Sequence, residues 1–222
     1  MRIPARFNGP PGTGNGGWCA GVFATAAGAR IGGPPVQVTL RVPPPLETSL
    51  EVRDGVVWAG AALIAEVVVV EEAGGDVPPV PLAEAAVAAK GYPGLTGHPF
   101  PTCYVCGPDR APGDGLRIFP GPLPGDRTAA PWTVPDGVSA ETMWAALDCP
   151  GGWTAIGDSG RAFVLGRIAA TVGELPAPGS ECVVVGALSG VHGRKATVDS
   201  AVYGPDGRRL ARARATWLAL VQ

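Results

Sequence analysis

Three groups of residues have the types and spacing to carry chemistry. Asp148 closes the run Met143-Trp-Ala-Ala-Leu-Asp148, a carboxylate in an apolar neighbourhood, where a charge has to be paired or put to use. Cys103-x-x-Cys106, with His98 five residues ahead of it, has the spacing of half a zinc site. A complete site needs a ligand from far along the chain, Cys149 or His192. The isolated pair reads as two small residues in a tight Gly/Pro loop packed between two halves, so no metal and no cofactor are expected. The third group, Gly9 to Gly17 (GPPGTGNGG), has the look of a phosphate loop. No Gly-Lys-Ser/Thr follows it and its prolines remove donors, which argues against nucleoside triphosphate binding.

Other hydrolytic constellations lack material. With just two histidines, His98 and His192, a Ser-His-Asp or Cys-His mechanism has little to draw on. Ser159 in Gly-Asp-Ser-Gly has neither the Gly-x-Ser-x-Gly spacing nor the strand-turn-helix setting of a nucleophile elbow, and reads as a loop. Five cysteines are an odd number for a disulfide framework. Arg194 and Lys195, in a Gly-flanked turn, read as solvated charge, with contact to ligand phosphates as the functional alternative.

The elements that position these residues can be placed by periodicity and punctuation. Gly17 to Ile31 is Ala-rich with apolar residues at helical spacing, opened by Gly16-Gly17 and closed by Gly32-Gly33. Strands follow at Val36 to Val42, Leu50 to Arg53 and Val56 to Val70, the last split at Gly60, with Asp54-Gly55 as a hairpin turn. A short helix from Leu82 to Lys90 has Pro81 at its start. A second long helix starts at the cap Ser139 and is expected to stop at Pro150. Phe163 to Val172, Cys182 to Leu188 and Arg194 to Tyr203 read as strands, and Asp206-Gly207 turns into the last one. On that strand Ala211, Ala213, Ala215 and Trp217 share a face that can sit close beneath a helix.

The halves resemble each other. Gly-Gly-Trp occurs at 16–18 and 151–153 and Asp-Gly at 54–55 and 206–207, and the unequal spacing of the two pairs implies an inserted strand in the second half. The division expected is a first repeat over 1–75, a Pro/Gly-rich connector with a short helix and the Cys-x-x-Cys loop over 76–115, and a second repeat over 116–222.

With 34 glycines and 25 prolines the chain approaches the composition of disordered segments. Its 46% hydrophobic content and net charge of -2 are those of a chain that folds. The near-neutral balance excludes a dedicated nucleic-acid binder. The longest apolar stretch, Ala59 to Val70, contains Glu66 and is too short to span a bilayer. No apolar segment with a cleavage site opens the sequence, so a cytoplasmic protein without membrane partners is expected.

One long helix wrapped by antiparallel strands, occurring twice, resembles a double hotdog of the α+β class. FNGPPGTGNGGWCAGVFA (7–24) resembles the Asn/Pro-Gly-Gly-aromatic entry to the first helix in the thioesterase-like, hotdog-fold superfamily. MWAALDCPGGW (143–153) through GRRLARARATW (207–217) resembles the second hotdog of its acyl-CoA thioesterase II-like group. The resemblance implies hydrolysis of an acyl thioester. A glycine-flanked helix start at Asn15, Gly16, Gly17 and Trp18 would offer N–H groups to the thioester carbonyl, and Asp148 would act as general base or nucleophile. Alignment on Gly-Gly-Trp makes Gly151 and Gly152 a second candidate oxyanion loop. Trp18 and Trp144 are candidate acyl-channel walls. The group's last-strand Gln has no match, since Ala215 and Thr216 stand there. The partners implied are an acyl-CoA or other acyl thioester and a second copy of the double hotdog, forming a homodimer. The competing functions are a non-catalytic acyl or acyl-CoA binding protein and a structural protein with a collapsed tunnel.

Overall fold

The structure is a computed structural model and describes residues 1–157 and 161–220; Ser159 lies outside them. Helix α1 spans Gly16–Ala26. Asn15 starts it, its side chain accepting the Trp18 N–H at 2.9 Å, one of the donors a helix start leaves without a backbone partner. It ends short of the expected Ile31, because Gly28 takes left-handed backbone (φ 97°) and the Ala29 N–H returns to the Ala24 carbonyl. Four strands follow: β1 (Val36–Leu40), β2 (Glu51–Arg53), β3 (Val56–Ala59) and β4 (Ala62–Val69). Asp54-Gly55, both with positive φ, make the expected β2–β3 hairpin turn, and Gly60 divides β3 from β4.

The connector contributes α2 (Leu82–Ala89) and the single turn α3 (Gly94–Gly97). Then come β5 (Gly121–Leu123), β6 (Arg127–Thr133), α4 (Ala140–Ile156), β7 (Phe163–Val172), β8 (Glu181–His192), β9 (Lys195–Tyr203) and β10 (Arg209–Ala219). Ser139 caps α4 through a reciprocal capping box with Thr142.

The described residues form one ten-stranded antiparallel sheet in the order β2-β3-β4-β1-β7-β10-β9-β8-β6-β5. From the middle outward, β1-β4-β3-β2 on one side repeats the connectivity of β7-β10-β9-β8 on the other. A pseudo-two-fold axis therefore passes between β1 and β7, which pair with Val36 opposite Ala170 and Thr39 opposite Arg167. Helices α1 and α4 lie against each other and against one face of the sheet, and the main core fills the space between. The alanine face of β10 is buried there, as its period-two pattern predicts. Val184 points into this core, whereas Val183 and Val185 point to a smaller cluster under α2, so α2 covers part of the opposite face.

Two expectations are corrected. Pro150 does not stop α4, which runs on to Ile156. Proline in a helix interior removes an N–H and crowds the preceding turn, but every residue from Thr142 to Trp153 is buried, and that burial outweighs the local penalty. Side chains cover carbonyls around the break: Thr128 Oγ1 donates to Pro150 O at 2.7 Å and Ser200 Oγ to Leu147 O at 2.6 Å. The two repeat markers are also not equivalent positions. Gly16-Gly17-Trp18 opens α1, while Gly151-Gly152-Trp153 lies inside α4. Asp54-Gly55 joins β2 to β3, whereas Asp206-Gly207 joins β9 to β10, the counterpart of the β3–β4 turn. The extra strands of the second half, β5 and β6, precede its helix.

Candidate active site

Helices α1 and α4 cross where Gly17 faces Asp148. A Cβ on Gly17 would stand 2.5 Å from Asp148 Cβ and 2.7 Å from the Trp144 carbonyl, so glycine is what lets the start of α1 reach the α4 backbone. Asp148 is 1% exposed. Its Oδ2 accepts the Gly17 N–H at 2.9 Å and the Asn15 Nδ2 at 3.2 Å. Its Oδ1 is buried with no hydrogen-bond partner among the described residues. Burial pushes the Asp148 carboxyl up to about 7; the Gly17 N–H opposes that, nearby Cys103 adds to it, and Asn15 opposes it again.

Asn15 is fully committed. Its Oδ1 caps α1, and its Nδ2 is shared between Asp148 and, at 3.7 Å, Cys103 Sγ. Hydrogen bonds to charged groups contribute about 1.5–3 kcal/mol each, so the two donors fix the carboxylate at the helix end, where the dipole also favours negative charge.

Asp148, Asn15 and Gly16 lie on the wall of a cavity of about 300 Å³ between the two helices and the β1 and β7 strands. Most of its lining is apolar, with Leu40, Phe163, Leu165, Trp153 and Trp217 prominent. That volume is at the small end for ligand pockets, and the few polar groups among apolar walls match their usual character. The pseudo-symmetric position, between the start of β1, the end of β7 and the start of α4, holds about 20 Å³, lined by Thr25, Pro34, Ala140 and Trp144 among others.

The other predicted site residues lie elsewhere. Trp18 stacks on Phe7 at 3.7 Å and meets Tyr104 edge-on, and its N–H is used by the Asn15 cap. Trp144 packs beneath Gly21 and lines the small pseudo-symmetric space. Gly151 and Gly152 are packing positions inside α4, where a Cβ would run into Val198 and the Trp217 indole; they form no loop, and neither lines the large cavity. The backbone donors envisaged for a thioester carbonyl are partly spent, because the Gly17 N–H goes to Asp148 and the Trp18 N–H to Asn15. The Gly16 N–H, at the cavity wall, has no hydrogen-bond partner among the described residues.

Four further side chains reach the same cavity. The connector loop carries Cys103 and Cys106, and Cys149 comes from α4 beside Asp148; their three sulfurs lie within 4.8 Å of one another and all three residues are buried. His98 Nε2 is 3.2 Å from Cys106 Sγ. Of the two remote ligands the sequence offered, Cys149 is thus brought in, while His192 is exposed at the end of β8.

The sequence matches no protein-family model and no curated protein. Its fold is well represented among solved structures. A conserved protein of unknown function with hot dog fold from Alicyclobacillus acidocaldarius matches with a TM-score of 0.63 at 12% identity, over 100% of this chain and 92% of that one. The tesB protein of Mycobacterium avium subsp. paratuberculosis matches at 0.61 and 12%, over 100% and 91%. Acyl-CoA thioesterase II TesB2 from Mycobacterium marinum matches at 0.55 and 13%, over 94% and 91%. The chain is therefore a double hotdog protein of the α+β class. Among the described residues no helix is long and apolar enough to cross a membrane.

Proposed function

We propose that the chain hydrolyses an acyl thioester, with an acyl-CoA as the substrate class. The observation that carries this reading is the Asp148 carboxylate. It is buried, oriented by two donors on one oxygen and without a partner on the other, and its residue lines an apolar cavity. The acyl chain occupies the cavity and its carbonyl oxygen accepts the Gly16 N–H at the α1 start. Asp148 takes a proton from water as the oxygen of that water bonds to the carbonyl carbon. The C–S bond then breaks, and the thiolate leaves and is protonated from Asp148. The likeness to structures described as acyl-CoA thioesterases is consistent with this chemistry.

A non-catalytic acyl-binding role is the second reading, favoured by one observation. Two of the three first-turn N–H groups are already engaged, so a bound carbonyl finds fewer donors. The open cavity speaks against a collapsed tunnel. The exposed sheet edges at β2 and β5 are where a second copy would pair in the homodimer this reading includes. We take 1–75, 76–115 and 116–222 as its repeat, connector and repeat.

A panel of acyl-CoAs of increasing chain length, followed by free-thiol release, tests the proposal. Turnover that Asp148→Asn abolishes supports it. Saturable binding without thiol release replaces it with the binding role.

A further inference from the structure

The proposed hydrolysis leaves unused the four soft donors at the cavity: Cys103, Cys106, Cys149 and His98. We propose that they form a binding site for one tetrahedral, thiophilic divalent cation, Zn²⁺, which fastens the connector loop to α4. The site lies on the wall of the same cavity and takes no part in the proton transfers assigned above.

The donor set fits that ion. Four-coordinate zinc takes cysteine sulfur at about 2.3 Å and histidine nitrogen at about 2.0–2.1 Å, which sets the sulfurs roughly 3.8 Å apart. Three sulfurs already within 4.8 Å of one another need only small side-chain rotations to reach that spacing. Two ligands come from a Cys-x-x-Cys turn and the third from a helix 43 or more residues away in sequence, a split common in structural sites. Thiolate and imidazole donors select zinc over magnesium or calcium, which prefer oxygen. The carboxylate beside Cys149 in the chain, Asp148, has Oδ2 held by Gly17 and Asn15.

The surroundings are those of metal-bound sulfur rather than of inert thiols. Asn15 Nδ2 approaches Cys103 Sγ. Such an outer donor orients a thiolate and disperses its charge. Tyr92 braces the loop, its hydroxyl donating to the Cys106 carbonyl at 3.1 Å.

His98 supplies the fourth donor by a side-chain rotation, since its Nε2 lies 3.2 Å from Cys106 Sγ but more than 4.8 Å from at least one of the other two sulfurs. Its Nδ1 accepts the Phe100 N–H at 2.8 Å, so the metal-free ring carries its proton on Nε2, directed at Cys106 Sγ. On loading, Zn²⁺ replaces that proton, the ring proton moves to Nδ1, and the Phe100 N–H contact is given up. The thiol protons leave as the sulfurs bind, so uptake is favoured by rising pH. With four protein ligands the site is closed, so its role is structural. It anchors Cys149, and through the α4 backbone the neighbouring Asp148.

The test is metal analysis of the full chain purified without chelator, followed by exchange with Co²⁺ under reducing conditions. About one zinc per chain is expected, and Co²⁺ should give tetrahedral visible bands with sulfur-to-cobalt charge transfer of a three-thiolate site. His98→Ala should keep the charge-transfer bands but release zinc to a chelator at least about tenfold faster. Cys149→Ser should lose one thiolate's share of the charge-transfer intensity. Cys182→Ser, remote on β8, should leave the zinc content unchanged. The Co²⁺ spectrum of the unaltered chain needs no variant to fold. Metal far below one equivalent with no charge-transfer band, or a Cys103–Cys106 disulfide in the purified protein, overturns the proposal.

Discussion

Gly17 and Asp148, 131 positions apart in the chain, are joined by a single hydrogen bond, with the Gly17 N–H donating to Asp148 Oδ2 at 2.9 Å. The first residues of one repeat's helix thus hold the carboxylate supplied by the other repeat's helix. Asp148→Asn keeps the shape of the side chain and removes its ability to accept a proton. Thiol release from acyl-CoA is expected to fall by about 10²–10⁴-fold, the usual range for losing a general base, while acyl-CoA binding persists in calorimetry.

Asn15→Ala removes the α1 cap and one of the two donors to Asp148. A lost cap costs about 0.5–2 kcal/mol, and a buried carboxylate deprived of a hydrogen bond adds to it. A destabilisation of about 2–4 kcal/mol in denaturant titration is expected, with turnover reduced in the fraction that remains folded. Asn15→Asp restores the cap acceptor but sets a second carboxylate against Asp148, so it should recover less stability than its capping strength alone predicts.

Gly17→Ala tests the helix crossing. The added methyl meets the Trp144 carbonyl and Asp148 Cβ, both on packed helical backbone that cannot swing aside. The expected cost is about 1–3 kcal/mol, as for other overpacked interiors, read as a lower Tm. Turnover should fall with it, since the two helices must part to admit the methyl.

Acid stability should report a different pair. Arg214 Nε and Nη2 donate to the two Asp199 carboxylate oxygens at 2.9 Å each, and Ser189 and the Gly75 N–H donate as well. Burial pushes the Asp199 carboxyl up, but these donors outweigh it and hold the group below the ordinary carboxylate value. A carboxyl depressed in the folded state contributes stability that is present above the unfolded value of about 3.9 and lost as pH falls through the folded one. Arg214→Gln should therefore lower stability at neutral pH and flatten its decline below about pH 4, as followed by thermal melts across the acid range.

Local signals in the sequence were good guides where the physics is local. The Ser139 cap, the Asp54-Gly55 and Gly60 turns and the alanine face of β10 follow from capping, left-handed turn residues and period-two alternation. Pro150 misled because its penalty is local, while the burial that overrules it comes from strands far along the chain. The Gly-Gly-Trp and Asp-Gly pairs misled because glycine is common here: one Gly-Gly-Trp starts a helix, and the other lets α4 press against Val198 and Trp217. Asp148 was visible as a charge in an apolar run. The meeting of Cys149 with Cys103 and Cys106 was not, since no periodicity tells which way a Gly/Pro-rich connector folds back. The engagement of the Gly17 and Trp18 N–H groups was equally hidden, being a property of the crossing between two helices.

The pseudo-two-fold axis between β1 and β7 has a consequence for stoichiometry. Two identical single repeats related by a true axis would carry two equal sites. Here one of the paired positions is an open cavity, and the other is reduced to a remnant beside Trp144. Saturation should therefore occur at one ligand per chain. The α1 end comes from the first repeat, the carboxylate from the second and the thiol pair from the segment between, so neither half expressed alone contains a whole site. The two halves hold different parts of one site, and that division makes them inseparable.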